Sequence, residues 1–545
     1  MSPRKKIPTK AELLQLQKLY KTDEKIGERL GGVPGYLVAY WRRKKNVPKY
    51  SLPKFSESEI RNLWERFGDD DKCGLELGIS KAAFYNWRRR YGLREKPAFL
   101  KLEQLEFNFP GMKARATSAT LYGKQCISQK ILAHLAGSEK AEVGQRVTVE
   151  PDLVVSHLHT REIIDRFAQL PSDYVWNAGK IAIVLRASAV NGTPGAADDN
   201  RITREFARRQ NIRHFYDLNM GSCHQLVLEN GLLKPGQLGV GADRLTISYG
   251  CLSAMAIHAS VDDVVSIWGD GKIEIEVPPS IRIDINGRRV RSVSAKDVGL
   301  YMIKQLSGEE INGRVLEYYG SVISHMSIGE RFTLANLSAS AGATAAVCHF
   351  DSATRRFLTA RATGGYAPVI ADKDAVYGGM YQINTDQLIP QIAGPNTVGK
   401  VRAVAELEGT PVNQIILGTC SSGRFEDLRI GAEILKGKKI NRDCRLLVIP
   451  GSRTVYLDAL KKGLIRAYVE AGAVIMNPGF RADMGAIVRS MAAGEKCLAT
   501  IGSLDFADHD DAVDSSGRDI YICSPATAAA SALSGSITDP TRFLT

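Results

Sequence analysis

The sequence lacks a long hydrophobic run, since no apolar segment approaches the ~20 residues that a membrane-spanning helix needs. Its basic start, MSPRKKIPTK, leads into no apolar signal core. The nine cysteines form no CxxC pair and are odd in number, which argues against a disulfide framework or a zinc ribbon. Hydrophobic content of 44% and charged content of 24% exclude wholesale disorder. These features predict a folded cytoplasmic protein with reduced thiols.

The net charge of +13 is concentrated at one end of the chain. Residues 1–100 contain 23 Lys and Arg against 12 Asp and Glu, a net of +11, so the remaining residues contribute only +2. A compact basic segment joined to a nearly neutral body is typical of proteins that bind phosphate groups. A solvated basic arm is the alternative interpretation.

The basic segment contains an internal repeat with an offset of 46 residues. Val33–Val47 reads VPGYLVAYWRRKKNV, and Ile79–Leu93 reads ISKAAFYNWRRRYGL. Each copy follows an amphipathic segment, a short helical segment and a glycine-containing turn. This order predicts two helix-turn-helix units, over residues 1–50 and 51–97.

Helical periodicity separates the inward from the outward side chains of each last helix. In the second unit, Phe84, Trp87 and Tyr91 point inward, and Arg88 and Arg90 are expected to flank the helix and contact phosphates. A rigid helix suits the major groove of B-form DNA, which predicts double-stranded DNA as the partner. The residues predicted to contact DNA are Arg42, Arg43, Lys44, Lys81, Tyr85, Asn86, Arg88, Arg89 and Arg90.

The rest of the chain follows an extended segment. After Pro97 the sequence AFLKLEQLEFNFPG loses helical periodicity, and we interpret residues 98–113 as a linker. Beyond it, short β-branched runs alternate with helical stretches, as parallel sheets with covering helices require. Examples of these runs are KIAIVL, CRLLVIP and AGAVIM. The predicted class of the body is α/β.

From about Met112 onward the chain resembles the large subunit of 3-isopropylmalate dehydratase and homoaconitase, in the aconitase family. The landmarks occur in the family's order and include VTVEPDLVVSH, MGSCHQLVLENGLLKPG, VGADRLT, ILGTCSSGRFEDLRIGAEIL and SPATAAASALSGSITDP. The resemblance implies three α/β/α domains around a cleft. Domains 1 and 2 are expected over residues 114–399 and domain 3 over residues 400–545.

Enzymes of this family hold a [4Fe–4S] cluster on three cysteine thiolates, and the resemblance implies Cys420 in GTCSSGR as one ligand. The positions of the other two ligands are occupied by Phe480 and Asp483 in NPGFRADMG. A cubane cluster needs soft sulfur ligands at three corners. We therefore expect no cofactor, no metal site and an absent cluster.

The resemblance also implies substitutions at the family's acid–base and substrate-binding positions, while His157 and Asp243 are retained. Together these substitutions predict a catalytically inactive body, with no catalytic residue. The substituted positions are occupied by Leu158, Arg186, Ala187, Arg244, Leu245, Ser340, Leu504 and His509.

A loop that opens a helix can still bind an anion through its backbone N–H groups. The candidate residues are Cys420, Ser421, Ser422, Gly423 and Arg424, with Arg453 in IPGSR as a second positive contact. The alternative is that the fold needs these turns for structural reasons.

The main hypothesis is a DNA-binding protein, with a regulatory role, whose body is a scaffold or a sensor of a small carboxylate ligand. One alternative is a hydro-lyase of the isopropylmalate or homoaconitate type with an altered metal site, formed by Cys420, Asp483 and a histidine. Another alternative is an RNA-binding protein or one that pairs with a small subunit or with itself.

Overall fold

A computed structural model describes residues 7–49, 55–102, 124–185, 194–306, 308–362, 364–479, 490–502 and 517–544. The chain divides into two compact units, Met1–Glu95 and Lys96–Thr545. Within the described residues, no helix combines the length and apolar character that crossing a bilayer requires.

The α-helices are numbered in chain order. Their bounds are α1 Lys10–Tyr20, α2 Asp23–Arg29, α3 Gly35–Lys44, α4 Glu57–Phe67, α5 Asp70–Glu76, α6 Lys81–Arg90, α7 Ile127–Leu135, α8 Thr160–Phe167, α9 Pro194–Arg209, α10 Cys223–Glu229, α11 Val261–Asp270, α12 Ala295–Gln305, α13 Gly308–Ile311, α14 Ser321–His325, α15 Ile328–Ser340, α16 Ser352–Thr359, α17 Thr419–Ser422, α18 Phe425–Leu435, α19 Arg453–Lys461, α20 Leu464–Ala471 and α21 Pro525–Ser534. Short 3-10 helices include Ala178–Lys180, Arg244–Leu252, Val404–Leu407 and Pro540–Phe543.

The strands are numbered in the same way. Their bounds are β1 Phe99–Leu102, β2 Arg146–Val149, β3 Leu153–Ser156, β4 Ile181–Val184, β5 His214–Tyr216, β6 Leu238–Gly241, β7 Met255–His258, β8 Ile273–Glu276, β9 Ser280–Asn286, β10 Val315–Tyr319, β11 Ala345–Cys348, β12 Gly379–Asn384, β13 Gln391–Ala393, β14 Val401–Ala403, β15 Gln414–Gly418, β16 Arg445–Ile449, β17 Val474–Ile475, β18 Lys496–Ala499 and β19 Asp519–Cys523.

The N-terminal unit consists of two similar groups of three helices, α1–α3 and α4–α6. Helices α1 and α4 begin with capping boxes at Thr9 and Ser56, which satisfy backbone donors that a helix start leaves free. Each group has its own small core, built around Val38 in the first and Phe84 in the second, both fully buried. The helices lie where the repeat predicted them, and their assignment to a DNA-binding class stays a prediction.

A glycine in the second helix of each group allows the following turn to approach closely. A Cβ atom on Gly27 would lie 1.9 Å from the carbonyl oxygen of Val33, and one on Gly74 would lie 2.8 Å from that of Ile79. Both distances are below any normal contact, so the spacing between the helix and its turn depends on the missing side chain.

The body contains three large sheets, as the predicted α/β class requires. Their strand orders are β5-β4-β3-β6-β7, all parallel; β1-β12-β9-β10-β11, parallel except at β1; and β14-β13-β19-β18-β15-β16-β17, parallel from β19 onward. The predicted β-branched runs coincide with β4, β16 and β17. The strands β3, β4 and β15 are buried throughout, which is typical of sheets covered on both faces.

The structure corrects the first part of the linker predicted over residues 98–113. Phe99–Leu102 is a strand that pairs antiparallel with Gly379–Asn384 and extends a sheet of the body. The backbone there is extended, as predicted, but its hydrogen bonds are made to a neighbouring strand. Residues 103–113 lie outside the described part of the chain.

Candidate active site

Two retained residues follow neighbouring strands of the first parallel sheet. His157 comes directly after β3, and Asp243 comes two residues after the end of β6. Strands β3 and β6 are parallel and adjacent, with Val154 opposite Val240. Because parallel strands end at the same edge, this topology places both side chains together at the edge where α/β sheets usually bind ligands.

A third residue, His224 in the first turn of α10, completes a buried group. The carboxylate oxygen Oδ2 of Asp243 lies 3.1 Å from Nε2 of His157 and 3.0 Å from Nε2 of His224. The two imidazole rings meet edge to face, with centroids 5.1 Å apart. The side chain of His224 is 3% exposed, and those of His157 and Asp243 are 14% and 12% exposed. We call these three residues the His-Asp-His triad.

Opposite charges stabilise one another within the triad. Burial opposes ionisation of Asp243, but the two histidines hold the pKa of its carboxyl well below the usual value. Burial likewise opposes a charge on His224, whereas Asp243 and Cys420 beside it raise the pKa of its imidazole to about 9. The buried triad therefore carries charge and can hold or exchange a proton.

The Cys420 loop lies beside the triad and has a strained backbone. Thr419, directly after β15, has a φ of 70°, which is unusual for a β-branched residue. All nine cysteines fall within the described residues, and Cys420 alone is partly exposed while the other eight are buried. Residues held in such conformations cluster at functional sites.

Several buried polar atoms around this loop and the triad lack a hydrogen-bond partner. Leaving a buried polar group unsatisfied costs about 1–3 kcal/mol, so a group of them points to a ligand that satisfies them. The atoms are the hydroxyl oxygens of Ser222, Thr419 and Ser422 and Nε of Arg424.

The structure corrects part of the predicted anion site. The guanidinium of Arg424 is buried, donates two hydrogen bonds to the carbonyl oxygen of Ser421 and stacks on Phe332. The hydroxyl of Ser421 donates to the carbonyl oxygen of Thr500. These contacts stabilise the loop itself, so the terminal nitrogens of Arg424 are not the predicted anion contact. Arg453 is exposed at the start of α19.

Two of the described substituted positions make structural contacts. Ser340 donates a hydrogen bond to the carbonyl oxygen of Gly502, and Leu245 packs against a hydrophobic core. Leu158 and Arg244 also lie within the described residues. Six of the positions compared lie outside them, namely Arg186, Ala187, Phe480, Asp483, Leu504 and His509.

In the N-terminal unit, two of the residues predicted to contact DNA are buried in ion pairs instead. Arg88 donates to both carboxylate oxygens of Asp70 at 2.6 and 3.0 Å and to the carbonyl oxygen of Leu93. Arg42 makes the same pair of bonds to Asp23 in the first unit. Both arginines are buried, because each joins the second helix of its unit to the third. The remaining predicted residues are exposed, namely Arg43, Lys44, Lys81, Tyr85, Asn86, Arg89 and Arg90.

Sequence reasoning did not single out His224. It lies within MGSCHQLVLENGLLKPG, next to Ser222 and Cys223, with no spacing that relates it to His157 or Asp243. The available signal was a histidine in the first turn of a short helix, two residues before the apolar run 226–228. Only the fold brings it to the edge of the sheet.

Comparisons with known proteins match the body of the chain. A model of the aconitase family (aconitate hydratase) matches residues 193–408 and 400–535. The chain is 35% identical over 419 residues to 3-isopropylmalate dehydratase large subunit 1 of Methanopyrus kandleri, covering 77% of this chain and 99% of that protein. It is 37% identical over 382 residues to a probable methanogen homoaconitase large subunit of Methanosarcina mazei, covering 70% and 95%.

A crystal structure of aconitase X from Thermococcus kodakaraensis, in its holo form, aligns over 71% of this chain and 90% of that one. The sequence identity is 12% and the TM-score is 0.42. At this level the alignment supports no statement about function.

The comparisons overturn the expectation of a cofactor-free protein. Proteins of the matched family normally carry a [4Fe–4S] cluster, and substitutions in one loop do not establish its loss. Within the described residues, Cys420 is the one partly exposed thiol, and the neighbouring Cys223 is buried. The polar donors next to Cys420 are imidazoles and a carboxylate.

The matched region spans most of the body, and the relatives are covered along nearly their whole length. The three sheets, the strand-end positions of the triad and the Cys420 loop all lie within that body. The chain therefore belongs to the aconitase family, with the large subunits of 3-isopropylmalate dehydratase and homoaconitase among its relatives.

Proposed function

We propose that this protein is a hydro-lyase that removes water from, or adds it to, a hydroxy-dicarboxylic acid. The observation that carries this proposal is the buried His-Asp-His triad beside a strained loop with unpartnered polar atoms. The relatives support it, because they are named as a dehydratase and a homoaconitase. They favour an active enzyme over an inactive body.

The unpartnered atoms suit the oxygens of a hydroxy acid. The hydroxyls of Ser222, Thr419 and Ser422 can donate to a carboxylate or accept from a substrate hydroxyl. In the bound state, the hydrogen bonds from these hydroxyls replace the ones that the free substrate makes to water. Such preformed polar contacts fix the orientation of a small ligand in its pocket.

The triad supplies acid–base chemistry. Dehydration requires a base that removes a proton from carbon and an acid that protonates the departing hydroxyl. Asp243 holds a proton on the neighbouring imidazole of His224 and stabilises the charged ring, while His157 contacts the same oxygen. One carboxylate between two imidazoles thus allows a proton to be accepted on one ring and released from the other.

The experiment is an assay of the full chain against a panel of 2- and 3-hydroxy-diacids, including 3-isopropylmalate. Because the relatives are named large subunits, the assay is run with and without a small-subunit partner. Formation of the unsaturated diacid, followed by proton NMR, supports the proposal. No product from any member of the panel, with the partner present and the protein loaded anaerobically with iron and sulfide or with zinc, contradicts it.

We propose a second function for the N-terminal unit, which lies outside the residues that the family model matches. Both three-helix groups of this unit expose the outer face of their third helix. The exposed residues include Arg43 and Lys44 on α3 and Lys81, Asn86 and Arg89 on α6. Duplicated basic helices favour binding to double-stranded DNA. RNA binding and subunit pairing are the competing outcomes of the test described below.

A further inference from the structure

We propose that a cavity at the carboxyl edge of the sheet β1-β12-β9-β10-β11 binds a small phosphorylated sugar, either free or as part of a nucleotide. The cavity has a volume of about 630 Å³, which lies in the usual range for small-molecule sites. Its described lining consists of three arginines, one carboxylate and one valine. These residues are Arg288, Arg289, Val290, Arg291 and Asp386.

The cavity lies where the strand order of this sheet changes direction. Strands β9, β10 and β11 follow one another across the sheet, whereas β12 returns to the opposite side of β9. Strands β9 and β12 are parallel and end together, with Asn286 opposite Asn384. Arg288 and Asp386 each follow the end of their strand by two residues. Open α/β sheets bind ligands outside the carboxyl ends of their strands at such a point.

The loops after β9 and β12 are in direct contact. The backbone N–H of Arg288 donates to Oδ1 of Asp386 at 2.6 Å. Gly287 has a φ of 104°, and a Cβ atom there would lie 2.4 Å from Oδ1 of Asn384, so the approach of the two loops depends on glycine. The positions of Arg288 and Asp386 are therefore set before a ligand binds, which lowers the entropy lost on binding.

Two of the three arginines are oriented by ion pairs. Arg289 pairs with Glu330 at the start of α15, and Nη2 of Arg291 lies 3.0 Å from a carboxylate oxygen of Glu433 in α18. Each guanidinium has five N–H donors, so donors remain for a ligand. Arg288 is exposed, and its guanidinium makes no hydrogen bond or ion pair within the described part of the chain. The planar fork of a guanidinium matches the oxygens of a phosphate group.

The charges around the cavity favour a phosphorylated sugar over a simple anion. The three arginines are balanced by the carboxylates of Asp386, Glu330 and Glu433, so net charge does not draw every anion to the site. Oδ2 of Asp386 makes no hydrogen bond among the described residues and can accept one from a hydroxyl group. A ligand that carries both a phosphate and a hydroxyl satisfies the two kinds of group together.

The described lining of the cavity shares no residue with the His-Asp-His triad or the Cys420 loop. Binding to the cavity is measured without turnover. It can therefore succeed or fail independently of the proposed hydro-lyase activity.

The experiment is isothermal titration calorimetry of the full chain at low ionic strength, with ribose 5-phosphate, AMP, inorganic phosphate and ribose as the probes. The variants are Arg288→Gln and Asp386→Asn. The matched control is Arg429→Gln, because Arg429 of α18 also pairs with Glu433 but is not among the described residues that line the cavity. Arg89→Ala controls for binding of AMP to the basic N-terminal unit.

We expect one molecule of ribose 5-phosphate or AMP to bind per chain, about 10-fold or more tightly than inorganic phosphate or ribose. Binding of AMP alone identifies a nucleotide, whereas binding of ribose 5-phosphate shows that the sugar phosphate suffices. Arg288→Gln should weaken this binding by about 10–100-fold, the usual effect of losing a hydrogen bond to a charged group. Arg429→Gln and Arg89→Ala should bind as the unaltered protein does.

Asp386→Asn should reduce the preference for the phosphorylated sugar over inorganic phosphate. The amide oxygen still accepts the backbone N–H of Arg288, but the carboxylate that receives the sugar hydroxyl is lost. Far-UV circular dichroism confirms that each variant is folded. The exposed position of both side chains makes misfolding an unfavourable explanation for a loss of binding.

Four results would overturn the proposal. One is the absence of binding by both phosphorylated probes, and a second is equally tight binding of inorganic phosphate or ribose. The third is full affinity in a folded Arg288→Gln protein, or an unchanged preference in a folded Asp386→Asn protein. The fourth is loss of binding in Arg89→Ala, which would place the ligand on the N-terminal unit.

Discussion

Adjacent arginines of the same helix have different roles in the N-terminal unit. Arg88 bonds to Asp70 and lies over the ring of Trp64 at 4.0 Å, whereas Arg89 is exposed. We predict that Arg88→Ala lowers the free energy of unfolding of this unit by about 1–3 kcal/mol, because it leaves a partly buried carboxylate without its partner.

Urea unfolding followed by tryptophan fluorescence checks this prediction, since three of the five tryptophans, Trp41, Trp64 and Trp87, lie in this unit. Arg89→Ala is the control and should change the unfolding free energy by less than about 0.5 kcal/mol. Equal stability of the two variants would show that the buried ion pair does not support the unit.

Lys296 makes the folding stability of the body depend on pH. Its amino group is buried and donates to the carbonyl oxygens of Thr500 and Ile501 at 2.6 and 2.8 Å, and burial lowers its pKa to about 8. Between about pH 8 and its ordinary pKa of 10.5, the unfolded chain binds a proton that the folded chain does not. Stability is therefore expected to rise across this window.

Thermal unfolding of the unaltered protein and of Lys296→Met, measured from pH 8 to 10, tests this dependence. The variant should lose the rise, whatever its absolute stability. The same slope in both proteins would contradict the assigned cause.

At the scale of elements, the surroundings of Gly27 in α2 and Gly74 in α5 predict which of two alanine variants is less stable. A Cβ on Gly27 would approach a backbone oxygen more closely than one on Gly74, at 1.9 against 2.8 Å. We expect Gly74→Ala to destabilise its unit by about 1–3 kcal/mol and Gly27→Ala by more. Urea unfolding measures both, and a Gly27→Ala protein at least as stable as Gly74→Ala would contradict the described packing of α2 on its turn.

Elements with strong local signals were predictable from the sequence, and long-range pairings were not. The helices around Trp41 and Trp87 and the strands β4 and β16 follow from periodicity. The strand Phe99–Leu102 was interpreted as a linker because its partner lies about 280 residues later in the chain. Arg88 was placed on the surface because a charged residue at a helix end gives no local sign of a partly buried partner such as Asp70.

The Cys420 loop of the candidate site could be predicted from the sequence, but the His-Asp-His triad could not. Cys420 and Asp243 occur in recognisable segments, but their relation to His224 depends on how three separate elements meet. The prediction of a cofactor-free protein failed because it weighed the substituted positions alone. It did not take into account the polar side chains that other parts of the fold bring to the site.

At the scale of the whole molecule, a basic N-terminal unit joined to an aconitase-family body predicts salt-dependent binding to nucleic acid. Affinity for duplex DNA should fall with salt by a slope of about −0.9 per phosphate contacted. Arg89→Ala with Arg90→Ala should weaken binding to all sequences and reduce this slope, whereas Asn86→Ala should relax base preference. The control is Arg61→Ala, an exposed arginine of α4 that pairs with Glu57.

Fluorescence anisotropy of the full chain with duplex DNA and with structured RNA gives these values. Equal affinity of the Arg89/Arg90 variant and the control would contradict a role of α6 in binding. Preference for RNA, or co-purification of a small subunit with no nucleic-acid binding, would favour the competing functions.

The proposed hydro-lyase activity requires the His-Asp-His triad of this body to transfer a proton on a hydroxy-diacid. The most direct measurement is deuterium incorporation from D₂O into the substrate panel, followed by NMR, for the unaltered protein and for Asp243→Asn. We expect exchange by the unaltered protein and a loss of about 10²–10⁴-fold in the variant, the usual contribution of acid–base groups. Exchange at the same rate in a folded Asp243→Asn protein would contradict the claim.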